Sequence, residues 1–597
     1  MSTVKTNKIN LAIDRKVFND RYSIFRIDTS DKYFPDGYRM LDEAVLDSNV
    51  ISVAMNVGNS FYVMGKAALS RRELLEAVRN SRGGDKCRIV DINPANVPEF
   101  ILARLLFNGL ARCEFIEDFR CSNLTGRLFL FSPEAVSEEK DQIKAIELNV
   151  GQNMQLSLSV RTFTSERKKR YIEFKKGKSF GSYPQFVVGA FNTLRRKLSS
   201  DKSLAYIQRK MRNAGKSEIL FLNIRNDKEF SESKMGLLQK SLNLFNLAYK
   251  GIAEVSYRNL DLVSTEVLSK TDLKENRNRV ISALMKYPPH LVDKVETEGS
   301  ALLVEELKKL VFDEYGVDLT DSKRMRTGCL NLRLIHEKDR YDEGFDEYRA
   351  TDEKYTIQNI TYENFGGCVK SAYRTVFHEL IIKEDIRDGR FTLYDWSSLN
   401  LDSTLTFGCE FPSENGEGRF IFMNIQPDGT FTFDEVDRGQ LFYPERYEKA
   451  IQLFSLVEQS ETVEGIIVDD SGRYGVFIDT GMFTIPEIDG IRRRLQDGDT
   501  YLRGKSAREE LLSAVVDINV LREGETEYFN TGVIGAGMQV KVPHASHIRR
   551  IVDEEGKSIS LSNIIPLLDV AFVRNQQMTV LPFPFKYIRE FSALKMK

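Results

Sequence analysis

Cysteine is scarce and scattered in this sequence. The six, Cys87, Cys113, Cys121, Cys329, Cys368 and Cys409, lie far apart, and no two stand at CxxC spacing. That pattern excludes a zinc knuckle and a disulfide framework and fits a reducing cytoplasm. With only five histidines, a metal here would have to be held by carboxylates, which suits Mg or Mn. No run approaches the ~20 apolar residues of a membrane span. The first thirty residues alternate polar and apolar without the apolar core of a signal peptide. Both absences point to a cytoplasmic chain with no membrane partner. Low-complexity tracts and internal repeats are missing too, which removes the linker-like and solenoid classes. With 42% apolar and 29% charged residues and only fifteen prolines, the chain reads as ordered globular material of roughly three to five domains.

Charge is nearly balanced overall, at −2, but it is not evenly spread. From Val160 to Lys216 there are sixteen Lys and Arg against three acids, Glu166, Glu173 and Asp201. A local excess of thirteen in a neutral protein calls for an acidic partner, and phosphate is the commonest. Rings alternate with the charges at Phe163, Tyr171, Phe174, Phe180, Tyr183, Phe186, Phe191 and Tyr206. Rings that stack on bases beside cations that neutralise phosphates are how proteins grip single strands. The plainer alternative is a core of rings under a solvated basic face, although such faces normally mix their signs. The candidate contacts are Arg167, Lys168, Lys169, Arg170, Lys175, Lys176, Lys178, Arg195, Arg196, Lys197, Arg209, Lys210 and Arg212. Glycines and Pro184 break the middle, so the stretch is expected to build a wall from a strand, a loop and a helix around Arg195 to Arg212.

The fold class expected is α/β and multidomain. Residues 1–158 read as a β-rich N-terminal lobe with a helix over Val97–Asn108, and 159–216 as the basic connecting region. Residues 217–340 read as a Rossmann-like middle domain. There SEILFLNI, a helix over Ser231–Tyr249 capped by Ser231, and IAEVSYRNL form one βαβ unit of a small parallel sheet. Helix starts at the strand ends of such a sheet can receive a phosphate. Residues 341–597 read as an RNase H-like body: RFTLYDW, STLTFGCEF and GRFIFMNI as strands, a helix over Pro444–Glu458, then the strand VEGIIV. A helix is expected over Ala507–Val516. Pro582 and Pro584 are expected to keep VLPFPFKYIREF extended up to its last turn.

An RNase H-like site needs carboxylates brought to adjacent strand ends to hold two divalent ions about 4 Å apart. Asp395, Glu410, Asp469 with Asp470, and Asp569 are the candidates, although DDSGR is equally a hairpin turn. His544 and His547 stand at HxxH spacing without a nearby third ligand, so with Arg549 and Arg550 they fit a phosphate contact or a plain surface. Arg492, Arg493 and Arg494 form another candidate phosphate contact. Gly215-Lys216-Ser217 and Gly504-Lys505-Ser506 end like a Walker A loop but lack its first glycine, with Lys210 and Asp499 in that place.

In order, a β-rich lobe, a basic connection, a Rossmann-like domain and an RNase H-like body resemble an Argonaute. The resemblance implies a short nucleic-acid guide and a complementary target, with a role in prokaryotic defence against plasmids or phages. It also implies a Lys and Gln cluster at a middle-domain helix for the guide 5′ end, for which Lys234, Gln239 and Lys240 are the similar positions. The family's tetrad would fall on Asp395, Glu410, Asp469 and Asp569. Their strand context is similar to that of inactive members, which bind DNA and leave destruction to a helicase or nuclease effector. No PAZ-type domain is evident. Two other functions stay open: a stand-alone two-metal-ion nuclease, and a basic scaffold that docks an acidic protein.

Overall fold

The computed structural model describes the whole chain except residues 1–2, 30–40, 44–48, 56–59, 80–86, 114–118, 213–217, 224, 268–269, 342–353, 413–417, 439–444, 455–460, 487–516, 532–540, 543, 554–556, 558–563, 569–580 and 596–597. Among the described residues it is a mixed α/β protein with five sheets. No described helix is long and apolar enough to cross a membrane.

A ten-stranded antiparallel sheet runs through both ends of the chain. Its spatial order is Thr3–Ile13, Ala253–Val267, Asp517–Glu523, Thr526–Thr531, His547–Val552, Tyr474–Phe483, Thr462–Asp469, Leu405–Pro412, Gly418–Ile425 and Phe431–Asp437. A second sheet, of seven antiparallel strands, takes in Arg120–Leu124, Arg127–Phe131, Gln142–Val150, Leu156–Ser165, Tyr206–Gln208, Gln185–Val188 and Leu194–Arg196. It curls until its two edges meet, where the Leu194 amide donates to Ser122 Oγ at 3.0 Å. Phe129, Phe131, Phe163, Phe186 and Tyr206 fill the inside of the curl. The expected boundary at 158/159 therefore cuts a strand, because the alternation that builds Leu156–Ser165 continues straight across it.

Several expected elements differ. Among the described residues Leu222–Asn223 pairs only with Lys541–Val542, and Ala253–Val267 enters the large antiparallel sheet, so residues 217–260 are not a parallel βαβ unit. Their helix starts at Lys234 and not at Ser231. Ser231 ends a separate short helix, Asp227–Ser231, which Asn226 caps, while Ser233 caps the long helix Lys234–Ala248. The two helices meet so tightly that a Cβ on Gly236 would lie 2.0 Å from the Phe230 carbonyl oxygen. The small parallel sheet is instead built from Thr320–Asp321, Pro289–Asp293, Leu330–Ile335 and Thr356–Thr361. It spans the expected 340/341 boundary, and the helices Glu298–Tyr315 and Val369–Asp388 contribute buried side chains to its core.

In the C-terminal part RFTLYDW is not a strand. Apart from one bridge between Arg390 and Thr430, it is irregular chain leading into the short helical turn Trp396–Leu399. Buried rings at Phe391 and Trp396 supply its apolar pattern. The expected strands Leu405–Pro412 and Gly418–Ile425, helix Glu445–Leu453 and strand Thr462–Asp469 are present in that order, but the third strand before the helix is Phe431–Asp437, which was not expected, in place of RFTLYDW. However, Thr462–Asp469 runs antiparallel to Leu405–Pro412. The chain containing the helix thus begins and ends at the same end of the sheet, where a crossover would give a parallel neighbour. The closing segment is a helix from Pro584 to Lys595. Pro584 is its first residue, where a missing N–H costs nothing. Phe583, Phe585, Tyr587 and Ile588 are buried in the largest core. The helix expected over Ala507–Val516 lies outside the described residues.

Candidate nucleic-acid interface

The basic stretch is part of the curled sheet. Strand Leu156–Ser165 delivers the chain to helical turns over Glu166–Tyr171. An open loop then leads back through Phe180–Ser182 into Gln185–Val188. The helix expected around Arg195 to Arg212 is replaced by two short strands, Leu194–Arg196 and Tyr206–Gln208. Leu194 and the consecutive Ala205, Tyr206 and Ile207 are buried there.

Apart from Arg209, which lies over the Tyr183 ring, the structure divides the predicted cations into two groups. Engaged within the protein are Arg195, bidentate to Asp201 at 2.6 and 2.7 Å, and Arg196, 3.6 Å from the buried Asp42. The Arg195 guanidinium, helped by the Leu198 amide, lowers the Asp201 carboxyl to about 2. Lys197 donates to the Ser203 carbonyl, and Lys210 pairs with Glu218 at 3.0 Å. Arg167 and Lys168 share Asp141. The second group is Lys169, Arg170, Lys175, Lys176, Lys178 and Arg212, all exposed and without an acidic partner among the described residues. The segments that carry them are tied together by a bridge between Ile172 and Met211 and by the Arg212 amide, which donates to the Tyr171 carbonyl at 2.6 Å. They form one lip.

Rings stand among these cations. The Phe174 and Tyr183 rings stack with centroids 5.9 Å apart. The Arg209 guanidinium lies 4.4 Å from the Tyr183 centroid, and Lys178 Nζ lies 5.8 Å from it. Arg170 lies 4.6 Å from the ring of Tyr171, which is 40% exposed. A cation over a ring holds both flat and ready for a further planar group.

The other predicted site residues are dispersed. Lys234 is half-buried in a cleft of about 450 Å³ with Asn7, Gln155, Phe483, His544 and His547. Burial pushes its amine down, against the pull of Glu218. The helix start beside it offers no free donor: the Lys234 amide donates to the Leu220 carbonyl, the Met235 amide to that of Phe221, and the Gly236 amide to Ser233 Oγ. Gln239 and Lys240 are half-buried further along the helix. Arg549 and Arg550, expected as phosphate contacts, are bound to Glu464 and Glu461. His547 Nδ1 lies 2.8 Å from Asp479, 68 positions away, a partner that no spacing in the sequence signals.

The described carboxylates of the expected tetrad do not converge. Asp395 accepts from Ser397 Oγ at 2.6 Å in a cleft of about 250 Å³ that also holds Arg279, Arg390 and Asp428. Glu410 pairs with Arg438 at 2.9 Å. Asp469 accepts from Ser471 and Arg473 within its own hairpin turn. Asp469 stands opposite Leu405 in the sheet, so Glu410 lies about 17 Å further along that strand. No three His, Cys, Asp or Glu among the described residues could jointly hold a metal ion. Asp569 and Arg492, Arg493 and Arg494 lie outside the described residues.

No family model matches the chain, and no curated protein matches it. Among solved structures, the crystal structure of Marinitoga piezophila Argonaute in complex with a 5′ OH guide RNA aligns over 98% of this chain and 98% of that one. The identity is 9% and the TM-score 0.40.

Proposed function

We propose that the protein binds single-stranded nucleic acid along the curled sheet and its basic lip. One observation carries the reading: six exposed cations, Lys169, Arg170, Lys175, Lys176, Lys178 and Arg212, have no acidic partner among the described residues and sit beside the Phe174–Tyr183–Arg209 stack. Phosphates would meet the cations, and a base would lie against the rings.

In its fuller form the strand is a short guide that selects a complementary target, with DNA as the target and defence against plasmids or phages as the setting. The protein recognises the target without cutting it and passes it to a helicase or nuclease effector. This fuller form is supported by the sequence-level resemblance alone. Its test is to sequence the nucleic acid that co-purifies with the protein. A population of short strands of narrow length is expected; absence of bound nucleic acid, or fragments of every length, overturns the guide.

A further inference from the structure

The hairpin that joins Gln185–Val188 to Leu194–Arg196 turns on two residues, Phe191 and Asn192. Both are left-handed, with φ of 58° and 54°, and the Thr193 amide donates back to the Ala190 carbonyl. Such a two-residue turn is normally Asn-Gly or Gly-Gly, because a side chain at positive φ meets its own carbonyl. An aromatic residue at its first position is therefore strained. The ring is also 88% exposed and makes no ring contact with any described residue. Strain and exposure together are costs that no contact inside the protein offsets, which is the signature of a residue displayed for a ligand.

We infer that Phe191 is a stacking residue for a base of the bound nucleic-acid strand, at the opposite end of the curled sheet from Tyr183. The inference rests on the nucleic-acid reading above. Tyr183 precedes the strand Gln185–Val188 and Phe191 follows it, so the two residues lie eight positions apart and their Cα atoms at most about 29 Å apart. At about 3.4 Å per stacked base, a strand of at most about eight nucleotides spans the two positions. On the flanking chain Arg195, Arg196 and Lys197 are engaged internally, against Asp201, Asp42 and the Ser203 carbonyl, and Lys202 is exposed beside them; four cations against two acids leave a net positive surface, which favours a polyanion over an apolar protein pocket.

The test is fluorescence anisotropy on the full chain with labelled single strands of 4, 8, 12 and 16 nucleotides at fixed salt. Phe191→Ala is expected to weaken the 12- and 16-mers by about 5- to 150-fold, the range of one lost stacking contact, and to leave the 4-mer unchanged. Phe191→Trp is expected to keep wild-type affinity. Phe191→Gly, which relieves the strained turn, is expected to melt no lower than wild type and yet to bind long strands as weakly as Phe191→Ala. Wild-type affinity of Phe191→Ala at every length, while Tyr183→Ala still binds more weakly, overturns the stacking role. That result leaves nucleic-acid binding standing and an apolar pocket on a protein as the ring's occupant. If the wild-type chain binds none of the strands, the parent reading falls and this inference falls with it.

Discussion

Arg549 reaches across the strand Tyr474–Phe483 to Glu464 and binds it with two nitrogens, Nη2 donating to Oε1 at 3.1 Å. Glu464 is the extra residue of a β-bulge between Val463 and Gly465, and the bulge turns its side chain toward the guanidinium. Both groups are largely buried, at 9% and 18% exposure. Glu464→Gln should therefore destabilise the protein by about 3–5 kcal/mol, because it leaves a buried charge unpaired. Chemical denaturation measures this, and the double substitution Arg549→Met with Glu464→Leu should recover most of the loss. Neither variant should change the salt dependence of nucleic-acid binding.

The exposed lysines behave in the opposite way. Lys175→Ala and Lys176→Ala should leave the melting temperature within about 1 °C, since surface substitutions typically change stability by under about 0.5 kcal/mol. Each should weaken binding to all sequences alike and reduce the slope of log affinity against log salt by about 0.7. Filter binding at several salt concentrations reads both effects.

Tyr183→Ala removes a ring and not a charge. It should cost about 1–3 kcal/mol of affinity with the salt slope unchanged. Arg209→Lys should fall short of wild type although it keeps the charge, because an ammonium cannot lie flat on the ring as a guanidinium does.

Asp385 gives the protein a pH dependence. Its carboxyl is buried and accepts from Tyr587 at 2.7 Å and from Thr392 at 2.6 Å. Burial raises it to about 7 despite those hydrogen bonds, and the neighbouring Asp388 raises it further. In the unfolded chain it titrates near 3.9. Between about pH 4 and 7 the native state holds a proton that the unfolded state releases, so stability falls as pH rises through that window and levels off above it. Each pH unit of the window is worth at most about 1.4 kcal/mol. Buried Asp42, also pushed upward by burial, acts in the same direction. Urea midpoints at pH 5 and pH 8 should differ accordingly, and Asp385→Asn should shrink the difference; an unchanged difference would remove Asp385 as its source.

Local patterns in the sequence were legible where one element decides its own form. The helix at Val97–Asn108, the strands GRFIFMNI and VEGIIV and the basic segregation itself all have counterparts in the structure. Sheet membership was not legible, because Ala253–Val267 looks the same whether its partner is Leu222–Asn223 or Thr3–Ile13, and the choice is made by residues some 250 positions away. The cations of the interface were visible, but their division was not: Asp42 claims Arg196 from another segment, and Glu464 claims Arg549 through a bulge. Asp395 was misplaced at a strand end because Phe391 and Trp396, buried in irregular chain, imitate strand alternation. Pro584, by its residue type a helix breaker, begins a helix here.

The central claim is tested most directly by titrating the purified, nucleic-acid-free chain with a labelled 16-nucleotide single strand at salt concentrations from 50 to 400 mM. Six phosphate contacts on the lip predict log affinity falling linearly with log salt at a slope of roughly −4, and a slope reduced by about 1.4 in the Lys175→Ala, Lys176→Ala double variant. No binding at the lowest salt, or an affinity flat across the series, would contradict it.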